Sequence, residues 1–292
     1  MSGESQPLRT ALVGVTGYGA KHLETLRRLE AEGDVRLVAA VVINPAEAAA
    51  TVRELEADGV RIHADYEAML QKEAGRIDAV FLPIGIPWHE PLTRSALEAG
   101  AHVYLEKPAA GAAGEVDAMI RARDQAGRQV AVGFQDLATA SSLRMHERLW
   151  RGEFGPVREI AVKAYMPRPD SYYTRNAWAG RVHCGGRIVR DSPANNAAAH
   201  FLMAALWMAS PDPRTAASVT DLRAELFRSR PIESFDTVSL TALSETGIRI
   251  SYHATHACRE NTPATLEARG AEGRLLLWER DEGFRIPASG ER

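Results

Sequence analysis

The sequence predicts an α/β protein: a parallel sheet with helices on both faces in the N-terminal half, then a second half dominated by strands. Three observations carry this. Short apolar runs alternate with amphipathic stretches through residues 9–133. A glycine-rich turn stands at the first strand-to-helix junction. Further on, strict period-two alternation replaces the helical period, the mark of antiparallel strands with one wet face. The boundary falls at 133/134, giving domains of residues 1–133 and 134–292.

The first strand, over residues 9–15, leads straight into Gly14-Val15-Thr16-Gly17-Tyr18-Gly19 and a helix over 20–32. Leu23, Leu26 and Leu29 lie on one side of that helix, and Lys21, Arg27 and Arg28 on the other. In this context, free backbone N–H groups and the positive helix end stabilise a phosphate, so the turn is a dinucleotide site. Thr16 stands where the middle glycine of G-x-G-x-x-G belongs, and Gly17 is the spare. The second apolar strand, 35–43, ends in Asn44-Pro45. There an acidic residue would hold the ribose hydroxyls of NAD, or an arginine the 2′-phosphate of NADP. Asn44 carries no charge, so both cofactors stay open, with discrimination expected below about tenfold, or ~1.4 kcal/mol.

Helices over 46–58 and 65–72 flank a short strand near Ile62. Residues 80–108 then organise the rest. A strand over 78–83 is followed by Ile84 and Gly85, then by a helix over 89–99 that His89 opens and Gly100 stops. The next strand, 101–105, ends in Glu106-Lys107-Pro108. Ligands of open parallel sheets bind beyond this edge. Pro108 keeps Lys107 out of helical geometry, so the lysine is presented at the site. A helix over 113–126 and a strand over 129–133 complete the half.

Composition narrows the function. The 292 residues are 45% hydrophobic and 25% charged, enough for two cores. A formal net charge of −3 gives no reason to expect nucleic acid or an anionic membrane as partner. Two cysteines, Cys184 and Cys258, argue for a reducing compartment. Residues 1–8 lack a signal-peptide layout and no run is a membrane span, so a cytoplasmic protein is expected.

In the second half, a helix is expected over 141–151 and strands over 157–166, 216–228, 235–243, 248–255, 264–269 and 274–278. The clearest pair brackets Glu245-Thr246-Gly247. Val238, Leu240, Ala242, Ile248, Ile250 and Tyr252 alternate there with Thr237, Ser239, Thr241, Arg249, Ser251 and His253. A long connection, 167–190, carries Tyr172, Tyr173, Arg175, Asn176, Trp178 and His183, groups suited to a polar, ring-shaped ligand. Gly185-Gly186 and Asp191 then lead through Asn195 and Asn196 into an apolar helix over 193–209. Metal ligation by His253, His256 and Cys258 is not expected, because a strand points the first away from the others. His22 and His146, beside charged residues on helices, are expected to be solvated, and Ser141-Ser142 to cap a helix.

The glycine turn with His22 after it, the His89 helix with its Glu-Ala-Gly end, and Glu106-Lys107-Pro108 resemble the glucose-fructose oxidoreductase / inositol dehydrogenase / MocA family. The resemblance implies a Rossmann domain followed by an α+β domain on an open, mainly antiparallel sheet used for subunit pairing, hence a homodimer or homotetramer. It implies hydride transfer between NAD or NADP and a small-molecule substrate, a sugar, inositol or related polyol. Lys107 and Asp191 are the implied catalytic residues. Cofactor contacts are expected from Gly14, Thr16, Gly17, Tyr18, Gly19, Asn44, Ile84, Gly85, His89, Glu106 and Lys107. Substrate contacts are expected from Lys107, Tyr172, Tyr173, Arg175, Trp178, His183, Asp191 and Asn195. In the family, a histidine four residues after the aspartate is the acid–base group, and here that place is Asn195. A cofactor-binding protein that senses ligand without turnover is the alternative this substitution raises.

Overall fold

The protein is described by a computed structural model over residues 6–270 except 154, with the backbone of strands at 273–279 and 283–285. The chain divides into two units, Met1–Gly133 and Phe134–Arg292.

The first unit alternates strand and helix: β1 (Leu8–Val13), α1 (Tyr18–Glu32), β2 (Val35–Val41), α2 (Ala49–Ala57), β3 (Arg61–His63), α3 (Tyr66–Lys72), β4 (Ala79–Leu82), α4 (His89–Glu98), β5 (His102–Leu105), α5 (Ala113–Ala126) and β6 (Val130–Val132). Every paired strand is parallel, in the order β3-β2-β1-β4-β5-β6. Apolar side chains leave both faces because helices cover both. On one face Val13, Val41, Val80 and Leu105 pack with Met69, Leu97 and Met119. On the other, Leu12, Leu37 and Ala40 pack with Leu23, Leu26 and Leu55. The order reverses between β1 and β4, and the loops leaving these two strands part there, which opens the crevice where such sheets bind ligands.

The second unit contains α6 (Ala140–Trp150), β7 (Val157–Tyr165), α7 (Asp170–Thr174), β8 (His183–Cys184), β9 (Arg187–Ile188) and α8 (Ala199–Met208). Strands β10 (Val219–Phe227), β11 (Thr237–Ser244), β12 (Arg249–Thr255), β13 (Thr262–Gly270), β14 (Gly273–Glu279) and β15 (Gly283–Arg285) follow. Its sheet runs β10-β11-β12-β7-β13-β14-β15, and β7 pairs parallel with β12 while the other neighbours are antiparallel. The period-two reading holds in the β11–β12 hairpin: Val238, Ala242, Ile250 and Tyr252 enter the core beside Phe201 and Met208 of α8. A fully buried aliphatic or aromatic side chain of this size contributes roughly 1.5–3 kcal/mol, so the alternation fixes the register. Every residue of β10 is exposed, its apolar ones included.

Two local expectations need correction. The helix expected over 193–209 opens as a π-type turn, Pro193–Ala197, before α8. Ser192 accepts from Asn195 N, and Ala198 N reaches back to Pro193 O at 2.8 Å, so the widened turn is held at both ends. The cap of α6 is Thr139, which accepts from Ser142 N at 3.2 Å; the Ser142 hydroxyl donates to Asp136 O.

Candidate active site

In the first unit the turn after β1 is made by glycines for specific reasons. Gly14 and Gly17 have φ of 88° and 57°, the left-handed region that side chains avoid. Gly19 has an ordinary φ, but a Cβ there would collide with the carbonyl oxygen of Gly14. No side chain caps α1 and its first turn has no acidic residue, so its positive end faces the turn, where Gly19 N and Ala20 N donate to the carbonyls of Thr16 and Gly17 at 2.9 and 3.3 Å. This helix end fits a diphosphate. Beside it lies a cavity of ≈180 Å³ lined by Gly14, Thr16, Asn44, Glu47 and Ile84, among others.

Glu47 is a residue that the sequence reading missed. The short turn Pro45–Ala48 brings it back to Asn44, whose amide donates to its carboxylate at 3.2 Å. The acidic group absent from the end of β2 is thereby restored three residues later. The pattern Asn-Pro-x-Glu was the available signal, because a proline-started turn returns its fourth residue to its first.

The second edge of the site is the end of β5. Glu106 is buried; its Oε1 meets His22 Nε2 at 3.0 Å, and its Oε2 accepts from Lys107 N at 3.3 Å. Tyr18, Phe81 and Tyr104 present their rings around His22. His22 is therefore not solvated as expected: it lies on the same inward side of α1 as Leu23 and Leu26. His146 is likewise buried, on Ser210 O at 2.8 Å and against Trp207. Charged sequence neighbours say little about which way a helical residue faces.

His89 is 0% exposed, with Nδ1 2.7 Å from Pro108 O and Nε2 3.0 Å from Ile84 O. Burial holds its pKa below the ordinary histidine value, although both carbonyls pull the other way. Packed between the loop after β4 and the loop after Lys107, the neutral ring has one N–H to donate to one of these two carbonyls, so its contribution to a cofactor site runs through Ile84 and Pro108. Gly85 precedes the short turn Ile86–Trp88 that starts α4.

In the second unit the connection 167–190 folds onto its own side chains. Tyr172 and Tyr173 lie on α7, and Arg175 follows it. Arg175 donates to Tyr172 O at 2.6 Å, with its guanidinium 3.4 Å from the Tyr172 ring centroid and 5.3 Å from that of Trp178. Asn176 Oδ1 accepts from Trp178 N and Ala179 N, which closes the turn. Gly180 has φ 68°, and a Cβ there would meet the Tyr173 ring. Its N–H donates to Asp191 Oδ2 at 2.7 Å. Asp191 is 2% exposed, and its other oxygen accepts from Asn196 Nδ2 at 2.8 Å. Asn195 turns its amide to Val189 O at 3.1 Å. His183 lies apart from this group, exposed on the β8–β9 ribbon.

His256, just past β12, was weighed in the sequence only as a metal ligand and given no other role. It is 3% exposed, and its Nδ1 lies 3.1 Å from the Tyr173 hydroxyl. Burial and the nearby Arg168 push its pKa down to about 4, so the ring is neutral. Burial pushes the Tyr173 phenol up to about 12. Tyr173 also lines a cavity of ≈520 Å³ with Arg181, Arg228 and Arg230.

Residues 8–134 match the family model of oxidoreductases with an NAD-binding Rossmann fold. An inositol 2-dehydrogenase/D-chiro-inositol 3-dehydrogenase of Shouchella clausii is 29% identical over 167 residues, 56% of this chain and 48% of that protein. The chain thus spans about half the length of this relative. A dTDP-3,4-didehydro-2,6-dideoxy-alpha-D-glucose 3-reductase of Streptomyces antibioticus is 26% identical over 97% of this chain and 78% of its own. Among solved structures, the WlbA dehydrogenase of Bordetella pertussis, in complex with NADH and UDP-GlcNAcA, superposes with a TM-score of 0.81. It shows 22% identity, covering 96% of this chain and 80% of that one, a likeness of fold. The family match takes in the whole six-stranded sheet: residues 8–134 are similar to the NAD-binding Rossmann unit of the glucose-fructose oxidoreductase / inositol dehydrogenase / MocA oxidoreductases.

Proposed function

We propose that the protein is an NAD(H)-dependent dehydrogenase acting on a sugar, inositol or related polyol. The observation that carries this reading is that the first unit has both a glycine-shaped helix start without a side-chain cap after β1 and, at the same edge of the sheet, Lys107 after β5 with its backbone N–H on Glu106. Gly14, Thr16, Gly17, Tyr18 and Gly19 would hold the diphosphate, Asn44 and Glu47 the adenosine ribose, and Ile84 and Gly85 the wall beyond β4. The bound nicotinamide would supply hydride chemistry. Glu47 stabilises ribose hydroxyls and repels a 2′-phosphate, so NAD(H) is the preferred cofactor, against the neutrality that Asn44 alone implied.

Lys107 donates to the substrate oxygen, and its charge stabilises the negative charge that develops there. Glu106, held by His22, and His89, holding the Pro108 carbonyl, keep the lysine's backbone in place. Asp191 orients: both its oxygens are taken, so it fixes Gly180 and Asn196. Asn195 cannot exchange protons near neutral pH. In oxidation the hydroxyl proton therefore passes to water or to Lys107 as the neutral amine, and in reduction the lysinium so formed returns it to the substrate oxygen. Recognition of the substrate belongs to Tyr172, Tyr173, Arg175 and Trp178. The sugar-directed relatives, and the UDP-sugar in the WlbA crystal, support a sugar or sugar nucleotide as substrate. The exposed β10, with Leu222 59% and Leu226 56% exposed, supports a homo-oligomer paired through this sheet.

The test is a panel of sugars, inositols and sugar nucleotides with NAD⁺, followed by the absorbance of reduced nicotinamide. Turnover is expected with at least one, and Lys107→Met should lower its rate by about 10²–10³ while cofactor affinity stays within a few-fold. An unchanged rate in Lys107→Met would remove the lysine from the mechanism. Binding of NADH without turnover of any compound would favour the ligand-sensing reading that Asn195 raises.

A further inference from the structure

We propose that the second unit carries a binding site for an oxyanion, a carboxylate or phosphate group on the substrate, built from Arg168 and Arg175 against the ring of Tyr172. The proposal deepens the dehydrogenase reading by naming the charge class of its substrate. Three arginines surround the Tyr172–Tyr173–His256 group. Arg175 and Arg168 place their guanidinium carbons 3.4 and 5.0 Å from the Tyr172 centroid, and Arg230 lies 5.7 Å from that of Tyr173.

These cations are not treated alike. Arg230 has carboxylates, Asp170 at 3.1 Å and the buried Asp236 at 3.7 Å. Among the described residues, no carboxylate lies within ion-pair distance of Arg168 or Arg175. The half-buried Arg168 has its Nε shut from solvent with no hydrogen-bond partner. Withdrawing a guanidinium from water without an anion is costly, and where the fold needs such a cation only for packing it supplies the acid, as for Arg230. That argument applies to Arg168, which is left for an anion from outside; the exposed Arg175, on the same ring, adds a second cation that no carboxylate engages.

The surroundings agree with this reading. A guanidinium lying over a ring keeps edge N–H groups for an oxyanion; in Arg175 one of them is taken by Tyr172 O and the others remain. His256, 3% exposed, has its Nε2 without a partner. It is neutral because Arg168, Arg230 and Arg175 join burial in opposing a further positive charge, while Asp236 alone works the other way. Helix α7, the Asn176 turn and the Gly180–Asp191 bond hold Tyr172 and Arg175 before any ligand arrives, which spares binding the cost of ordering them.

Titrations of the full chain with pyrophosphate, UDP, D-glucuronate and neutral myo-inositol test this by calorimetry, with the fluorescence of Trp178 beside Arg175 as a second readout. At least one anion should bind about tenfold more tightly than myo-inositol, and Arg175→Gln should weaken it by about tenfold or more. Arg175 is exposed, so its variants should fold, and a melting curve checks this; Arg175→Lys should recover only part of the affinity. Preference for glucuronate assigns a carboxylate, and preference for UDP or pyrophosphate assigns a diphosphate. If no anion outbinds myo-inositol, or if folded Arg175→Gln binds as tightly as wild type, the site is refuted. NADH titrated into the same samples reads the dehydrogenase proposal separately, since its phosphate site lies in the other unit.

Discussion

The groups proposed to face ligand are built from different material in the two units. In the first it is backbone: N–H groups at a glycine turn, with the Ile84 and Pro108 carbonyls packed on the buried His89. In the second it is side chains: Tyr172, Arg175, Tyr173 and His256 hold one another, and Asp191 fixes the backbone beneath them. A backbone site tolerates exchange of its non-glycine residues, which is why Thr16 can stand where a glycine is usual. A side-chain site depends on each member.

The largest expected effect follows from that dependence. Asp191→Ala leaves Gly180 N and the Asn196 amide without their acceptor, and two such orphaned donors cost about 2–4 kcal/mol. Chemical denaturation should show the second unit destabilised, while NADH affinity stays within a few-fold. Loss of NADH binding at the same time would break the division between the units.

The next effect is one of pH. His256 has a folded-state pKa of about 4 against an ordinary 6.5, so as acidity increases the unfolded chain takes up the proton first, and the neutral ring's stabilisation, about 3 kcal/mol, is complete above pH 6.5 and lost as pH falls towards about 4. Denaturation midpoints across that window should rise with pH, and His256→Gln should flatten the rise. An equal slope in the variant would place the titration elsewhere.

These two predictions concern the part of the molecule that the sequence disclosed least. The parallel sheet, the glycine turn and the strand end at Lys107 were legible because period and spacing are local. So was the β11–β12 hairpin, where alternation decides which face is buried. What stayed hidden depends on residues distant in sequence. His22 meets Glu106 across 84 positions, and Tyr173 meets His256 across 83. Asp191 was legible as a residue but not as a buried acceptor, because its partners come from a turn whose shape Asn176 and Gly180 set. Glu47 was missed for a different reason: the strand was read to its last residue and the short turn after it was not. The strand expected at 274–278 lies within β14, and its side chains are outside the described residues.

The smallest effect sharpens the account of the first unit. Glu47→Gln removes the carboxylate that lines the cavity beside the glycine turn, proposed to take the adenosine ribose, and the preference for NADH over NADPH should shrink by about tenfold, or ~1.4 kcal/mol. Glu47 is exposed and partly screened, so no larger change is expected. An unaltered ratio would show that another group selects the cofactor.

Direct titration of NADH by its fluorescence, on wild type and Gly19→Ala, tests the central claim that the glycine turn after β1 holds the cofactor. Wild type should bind. In Gly19→Ala the added Cβ would strike the Gly14 carbonyl and displace the turn's donors, so affinity should fall by about 100-fold, or ~2.7 kcal/mol. Wild-type protein that binds no NADH, or a Gly19→Ala variant that binds it equally well, would contradict the account.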